Sequence, residues 1–364
     1  RIQLNKLFLV IASFVFYGYN NPSYVPIILI SILVNYALSQ MMLASEKKLI
    51  RLPLMLLGLA LNLGGLFYFK YHDFFVSNLN SALGTSFVLH HLMLPLGISF
   101  FTFQSMNYVI DVYRGKLKAC RSLLDFSFFV SFFPTLLAGP ILRARDFLPQ
   151  VRQPLNVTRE MFGLGLWFIM IGLFKKAIIS DYIGVNFVNR IFDDPSLYTG
   201  LENLLGIYGY ALKLYCDFSG YSDMAIGIAL LLGFQFPKNF DAPYKSATIT
   251  EFWRRWHISL SSWLRDYLYI SLGGNRRGKV RTYFNLLMTM VLGGLWHGAA
   301  LRFVLWGALH GVALALHKMW MAVVPWAKAF GKDMNPLSRL LGIVLTFHIV
   351  CLGWLLFRAE DMQT

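Results

Sequence analysis

Two histidines, each beside a tryptophan, form the one obvious reactive pair in this sequence. His257 lies in Glu251-Phe252-Trp253-Arg254-Arg255-Trp256-His257-Ile258-Ser259-Leu260-Ser261, and His297 lies in Gly293-Gly294-Leu295-Trp296-His297-Gly298. Between them runs a basic loop, Asn275-Arg276-Arg277-Gly278-Lys279-Val280-Arg281. From Tyr283 to Leu301 there is no Lys, Arg, Asp or Glu, so His297 is sunk in charge-free sequence. An imidazole there costs desolvation unless it is partnered. Burial also disfavours its charged form, so the ring stays neutral and can take a proton from a hydroxyl as a general base. No Gly-x-Ser-x-Gly elbow or reactive-cysteine setting supplies a covalent nucleophile. Direct transfer of a group onto an alcohol, with histidine removing the proton, is the chemistry that fits. Arg276 and Arg277 of the basic loop would hold the phosphates of a donor.

The elements that must position these residues follow from periodicity. On a helix starting at Thr250, Arg254, His257, Ser261 and Arg265 share one polar stripe, with Trp253, Trp256, Leu260, Trp263, Leu264 and Tyr267 beside it. That pattern predicts an amphipathic helix at an interface or capping a bundle, with His257 on its cationic face. The apolar run from Tyr283 to Leu316 is too long for one straight span, and the glycines around His297 predict a break near Gly298.

Composition names the solvent. Hydrophobic residues make up 57% of the 364 and charged residues only 14%, with a mean hydropathy of +0.54. A soluble domain carries about a quarter charged residues, so lipid is the natural surrounding. The net charge of +15 sits in short clusters between apolar runs, such as Glu46 to Arg51, Arg114 to Arg121 and Arg143 to Arg152. That is the positive-inside pattern of cytoplasmic loops, and it argues against a nucleic-acid partner. The fold class predicted is an all-α polytopic membrane protein of about ten to eleven transmembrane or re-entrant helices, forming a single membrane domain. Arg1 and Thr364 read as cuts in a longer chain. No fixed-period repeat is visible, which weakens a transporter reading.

Several stretches carry local expectations. Adjacent His90 and His91 would point about 100° apart on a helix, so no metal site is expected there. Cys120, Cys216 and Cys351 are scattered and read as inert buried thiols. Leu94 to Tyr108 is apolar yet carries Ser99, Thr102, Gln104, Ser105 and Asn107; it either glues helices together or lines a cavity. Phe126 to Leu142 should be broken at Pro134 and Gly139-Pro140. Arg143 to Glu160 reads as a cytoplasmic loop, and Lys175-Lys176 as a snorkelling span end. Asp217 and Asp223 share a face only if Gly220 breaks their helix; capping such a break is the plainer reading.

These motifs resemble the membrane-bound O-acyltransferase family, in its alginate O-acetyltransferase-like branch. The resemblance covers essentially the whole chain. It rests on Pro95-Leu96-Gly97-Ile98-Ser99-Phe100, Phe132-Phe133-Pro134 with Ala138-Gly139-Pro140-Ile141, Asp217-Phe218-Ser219-Gly220-Tyr221-Ser222-Asp223, the run Phe252 to Gly274, and Trp296-His297-Gly298. It implies a helical bundle around a central tunnel, with His297 as the central catalytic histidine and His257 as the second. Trp296, Arg254, Trp256, Ser261, Arg276 and Arg277 are then expected to bind substrate or donor. The resemblance further implies acetyl-CoA as donor with no resident cofactor, transfer across the bacterial cytoplasmic (inner) membrane to an exported polysaccharide, and a periplasmic acetyltransferase partner. A near relative, the D-alanyl transfer protein fed by a carrier protein, shares Trp296-His297-Gly298. Leu268-Tyr269-Ile270-Ser271-Leu272-Gly273-Gly274-Asn275-Arg276 favours the alginate-type branch. A transporter or scaffold that merely delivers donor or polymer is the competing class.

Overall fold

The computed structural model describes residues 2–324 and 335–359, and all its regular structure there is helical. Arg1 and Thr364 lie outside the described residues. The chain divides into two compact units, Arg1–Ile169 with Met224–Pro237, and Met170–Asp223 with Lys238–Thr364. Among the described residues, four helical stretches are long and apolar enough to cross a membrane: Pro22–Leu43, Lys48–Leu83, Arg159–Asp193 and Pro336–Arg358.

In the first unit, α1 (Ile2–Asn20) and α2 (Val25–Leu43) meet at Asn21-Pro22, where the Asn21 side chain accepts the Ser23 N–H at 3.0 Å. α3 (Lys48–Leu66) runs through a π-helical turn, Phe67–Tyr71, into α4 (His72–Leu83). Asn35 and Asn62 exchange amide hydrogen bonds at 2.7 and 3.3 Å between α2 and α3, as polar groups in an apolar bundle must. α5 (Ile98–Tyr113) buries Thr102, Gln104, Ser105 and Asn107. Its Asn107 donates to Leu142 C=O at 3.0 Å, Gln104 donates to Thr135 Oγ1 at 3.4 Å, and Tyr108 donates to Ser39 Oγ at 3.0 Å. These bonds join α5 to neighbouring segments, the helix-gluing role. Gly97 (φ 68°) begins that helix, and a Cβ there would sit 2.1 Å from the Leu136 carbonyl oxygen, so only glycine fits.

The Phe126–Leu142 stretch is broken as expected, into α6 (Leu123–Ser131) and α7 (Phe133–Leu136). Arg143 to Glu160 is not simply a loop. It contains α8 (Ala144–Val151), whose Phe147, Leu148 and Val151 are buried because apolar residues recur at helical spacing among its charges. α9 (Arg159–Leu173) then leads into the second unit.

There, π-helical segments Phe174–Asp181 and Gly184–Val188 precede α10 (Asn189–Asp193). α11 (Gly200–Leu231) runs unbroken through Gly220, contrary to the expected break. The glycine serves close approach instead: a Cβ there would lie 2.7 Å from the Gly172 carbonyl oxygen. Lys175 does not snorkel but pairs with Asp223 at 2.6 Å, and Lys176 with Asp217 at 2.6 Å. Each acid thus faces a lysine, which satisfies both charges without invoking chemistry. α12 (Ile249–Arg255), α13 (Ile258–Trp263), α14 (Lys279–His297), α15 (Leu301–Val323) and α16 (Pro336–Arg358) complete the unit. α14 and α15 form a tight hairpin. Cβ atoms at Gly294 and Gly307 would lie 2.1 Å from Phe303 C=O and 2.3 Å from Met290 C=O, so small residues set the helix separation.

Candidate active site

The single amphipathic helix expected around His257 does not form. α12 stops at Arg255, Trp256 is extended, and His257 takes a left-handed backbone (φ 42°, ψ 56°) before α13 begins. The cause is a tertiary bond: the Ile258 N–H donates to Asn239 C=O at 2.8 Å, away from the helical ladder. This bend turns His257 off the cationic stripe and into the interior, where it is 1% exposed. Arg254, Ser261 and Arg265 stay together on the wall of a cavity.

Asn239 fixes the His257 ring. Its Oδ1 accepts from Ser259 N–H at 3.2 Å and Ser259 Oγ–H at 2.9 Å, while its Nδ2 donates to Ser222 Oγ at 2.9 Å. Because a backbone N–H can only donate, the amide oxygen faces this side. His257 Nδ1, 3.2 Å from the same oxygen, must therefore carry the proton. Nε2 then presents a bare lone pair, buried and without a hydrogen-bond partner. Burial, with His297 nearby, holds this imidazole well below its usual range, so it is neutral.

α14 ends at His297, Gly298 is extended, and α15 resumes at Leu301, so the break falls where the glycines indicated. The helix end leaves His297 half-buried among rings. Trp296, Trp306 and Phe357 stand at centroid distances of 5.0, 5.1 and 5.2 Å, each steeply inclined to the imidazole. Trp296 also lies 6.2 Å from His257, so the indole sits against both imidazoles. The two histidines, paired on sequence grounds, thus meet on one indole.

A cavity of about 550 Å3 lies beyond Trp253 and Ile258, which line it; His257, Trp296 and His297 do not. Arg254, Arg265 and Lys318 line it, with Ser261, Ser262 and Thr289 supplying hydroxyls and Leu264, Met290 and Leu314 an apolar wall. Arg265 pairs with Asp266 at 2.7 Å, Lys318 donates to Asn275 Oδ1 at 2.8 Å, and Thr250 shares a hydrogen with His317 at 2.8 Å. Such a surface suits an anionic ligand with an apolar arm. Of the expected binding residues, Arg254 and Ser261 are here. Trp256 is buried against Phe252, Phe240 and Trp354 as packing, and Trp296 lies between the histidines. Arg276 and Arg277 are exposed on the loop outside the cavity, though Asn275 next to them lines it. Sequence reasoning missed Asn239, Trp306, His310 and Lys318. Asn239 carried no signal in its loop, whereas His310 stood in apolar sequence much as His297 did.

The family's sequence profile, that of membrane-bound O-acyltransferases, matches residues 117–356, which contain both histidines and the cavity. The chain belongs to the membrane-bound O-acyltransferase family. It is therefore an O-acyltransferase and a multi-pass membrane protein, of the alginate O-acetylase-like branch. It is 44% identical to a probable alginate O-acetylase of Pseudomonas syringae pv. tomato, over 99% of this chain and 68% of that one. It is 37% identical to a peptidoglycan O-acetyltransferase of Helicobacter pylori, over 99% of this chain and 72% of that one. A teichoic acid D-alanyltransferase of Bacillus subtilis is 33% identical, over 75% of this chain and 71% of its own length.

Proposed function

We propose that this enzyme moves an acetyl group from a cytoplasmic thioester, acetyl-CoA, across the inner membrane for O-acetylation of an exported polysaccharide. His297 is the general base that takes the proton of the attacking hydroxyl. As the new C–O ester bond forms and the thioester C–S bond breaks, the proton passes to the departing coenzyme A thiolate, which leaves as the free thiol. His257, held neutral with its Nε2 lone pair free, orients the reactants and shares that proton. The cavity beside Arg254, Arg265 and Lys318 receives the donor, its phosphates on the cations and its apolar arm against Leu264 and Met290. A periplasmic acetyltransferase takes the acetyl group onward to the polymer, and membrane lipid surrounds the body. The observation that carries this reading is the pair of histidines held against one indole, Trp296, in the same unit as a cation-lined cavity that Ile258, the neighbour of His257, lines. The alginate and peptidoglycan O-acetyltransferase relatives support the polysaccharide acceptor.

The D-alanyltransferase relative, and the exposed basic loop that would suit an acidic carrier protein, favour a second reading in which the donor is a carrier-bound thioester. The test is purified protein in proteoliposomes, offered labelled acetyl-CoA or a D-alanyl-carrier thioester in parallel. Consumption of acetyl-CoA alone is expected. Turnover of the carrier thioester alone would exchange the readings, and turnover of neither would refute both donors.

A further inference from the structure

A third histidine lies in the same ring cluster. His310, four residues after Trp306 and so on the same face of α15, is fully enclosed, and neither of its ring nitrogens has a hydrogen-bond partner. Phe252 lies parallel to it at 6.3 Å, while Trp253 and Trp306 meet it at 5.1 and 4.9 Å, inclined by 87° and 66°. A phenylalanine would fill this aromatic setting without burying unpaired nitrogens, each of which costs free energy. A residue more costly than its apolar isostere points to work done by the nitrogens.

Gly353 adds an independent observation. A Cβ on it would lie 2.7 Å from His310 Nε2 and 3.4 Å from Trp306 Nε1, a second nitrogen without a partner. Both nitrogens therefore converge on one point of α16 that only a glycine leaves open. Trp306 also meets His297, at 5.1 Å and 83°. An N–H edge set on an aromatic face is held more directionally than a C–H edge. Trp253, the other ring inclined on His310, lines the cavity.

We propose that His310 is a positioning residue for acyl transfer: its ring nitrogens fix Trp306, and through it the orientation of His297. The inference rests on His297 being the reacting base. It commits to an effect on turnover rather than on donor binding, because His310 does not line the cavity.

The experiment compares His310→Phe, His310→Gln, Gly353→Ala and His297→Ala in the same proteoliposome assay with labelled acetyl-CoA. His310→Phe keeps the ring volume and is expected to melt at or above the wild-type temperature. Its kcat is expected to fall about 10- to 100-fold, as for a displaced catalytic ring, with KM for acetyl-CoA unchanged. His310→Gln, which restores polar atoms, should recover part of that loss. Gly353→Ala, which pushes on Nε2 without altering His310, should lower kcat in the same way. Wild-type kcat in His310→Phe or in Gly353→Ala would overturn the proposal, as would a loss carried by KM alone. If His297→Ala is inactive while His310→Phe is normal, this inference alone fails. If His297→Ala keeps its activity, the reading beneath it fails.

Discussion

Replacing Asn239 with alanine removes the acceptor of three hydrogens at once: His257 Nδ1–H, Ser259 N–H and Ser259 Oγ–H. The Nδ1–H tautomer of His257 then loses its one partner, and the lone pair is no longer confined to Nε2. A buried donor left unsatisfied costs about 1–3 kcal/mol. If that penalty falls on the reactive orientation, RT of about 0.59 kcal/mol converts it to a roughly 5- to 150-fold loss of rate. Asn239 does not line the cavity, so the loss should fall on kcat and leave KM for the donor in place. Asn239→Asp is the discriminating control. Its carboxylate keeps an acceptor at the same place and holds the ring, but it favours imidazolium. Its kcat should stay closer to wild type at alkaline pH and fall on the acid side, where the protonated ring has no lone pair to offer. The assay is acetyl transfer in proteoliposomes from pH 5.5 to 9, normalised to folded protein. Wild-type kcat in Asn239→Ala, or identical pH profiles for Asn239→Asp and wild type, would refute the tautomer argument.

Three further outcomes follow from the same geometry. Arg254→Ala with Lys318→Ala should raise KM for acetyl-CoA with little change in kcat, because both cations line the cavity away from the reacting rings; an unchanged KM would remove the donor from this cavity. Gly307→Val should lower the melting temperature in detergent, since its Cβ alone would lie 2.3 Å from Met290 C=O and forcing side chains into a packed contact costs about 1–3 kcal/mol; an unchanged melting temperature contradicts the tight hairpin. The depressed His257 gives a stability slope with a definite sign. Above the unfolded value of about 6.5 both states are neutral and the group contributes nothing; as pH falls below it the unfolded chain takes up a proton that the folded one refuses, so stability drops. The melting temperature should therefore fall between pH 7 and pH 5, and less steeply in His257→Phe.

The helical character, the membrane setting and the break at Gly298 were legible because each follows from composition or from glycine placement along the chain. The wrong expectations share a physical cause. Arg254, His257 and Ser261 have perfect helical spacing, and only the Ile258 N–H to Asn239 bond, between residues far apart in sequence, shows that the helix ends and buries His257. Asp217 and Asp223 read as caps of a helix break, whereas they face Lys176 and Lys175 across the packed interior. Gly220 looked like a helix breaker because its partner, the Gly172 carbonyl, is invisible in one dimension. Local pattern sets elements; the partners across the packed interior decide which polar residue is spent on structure and which is left for chemistry.

The central claim is that His297 removes the proton in the acyl transfer. Single-turnover transfer from labelled acetyl-CoA in proteoliposomes, comparing wild type with His297→Ala of equal melting temperature, tests it most directly. Donor is expected to bind in both, and acetyl to leave it only in the wild type. Transfer at the wild-type rate by His297→Ala would contradict it.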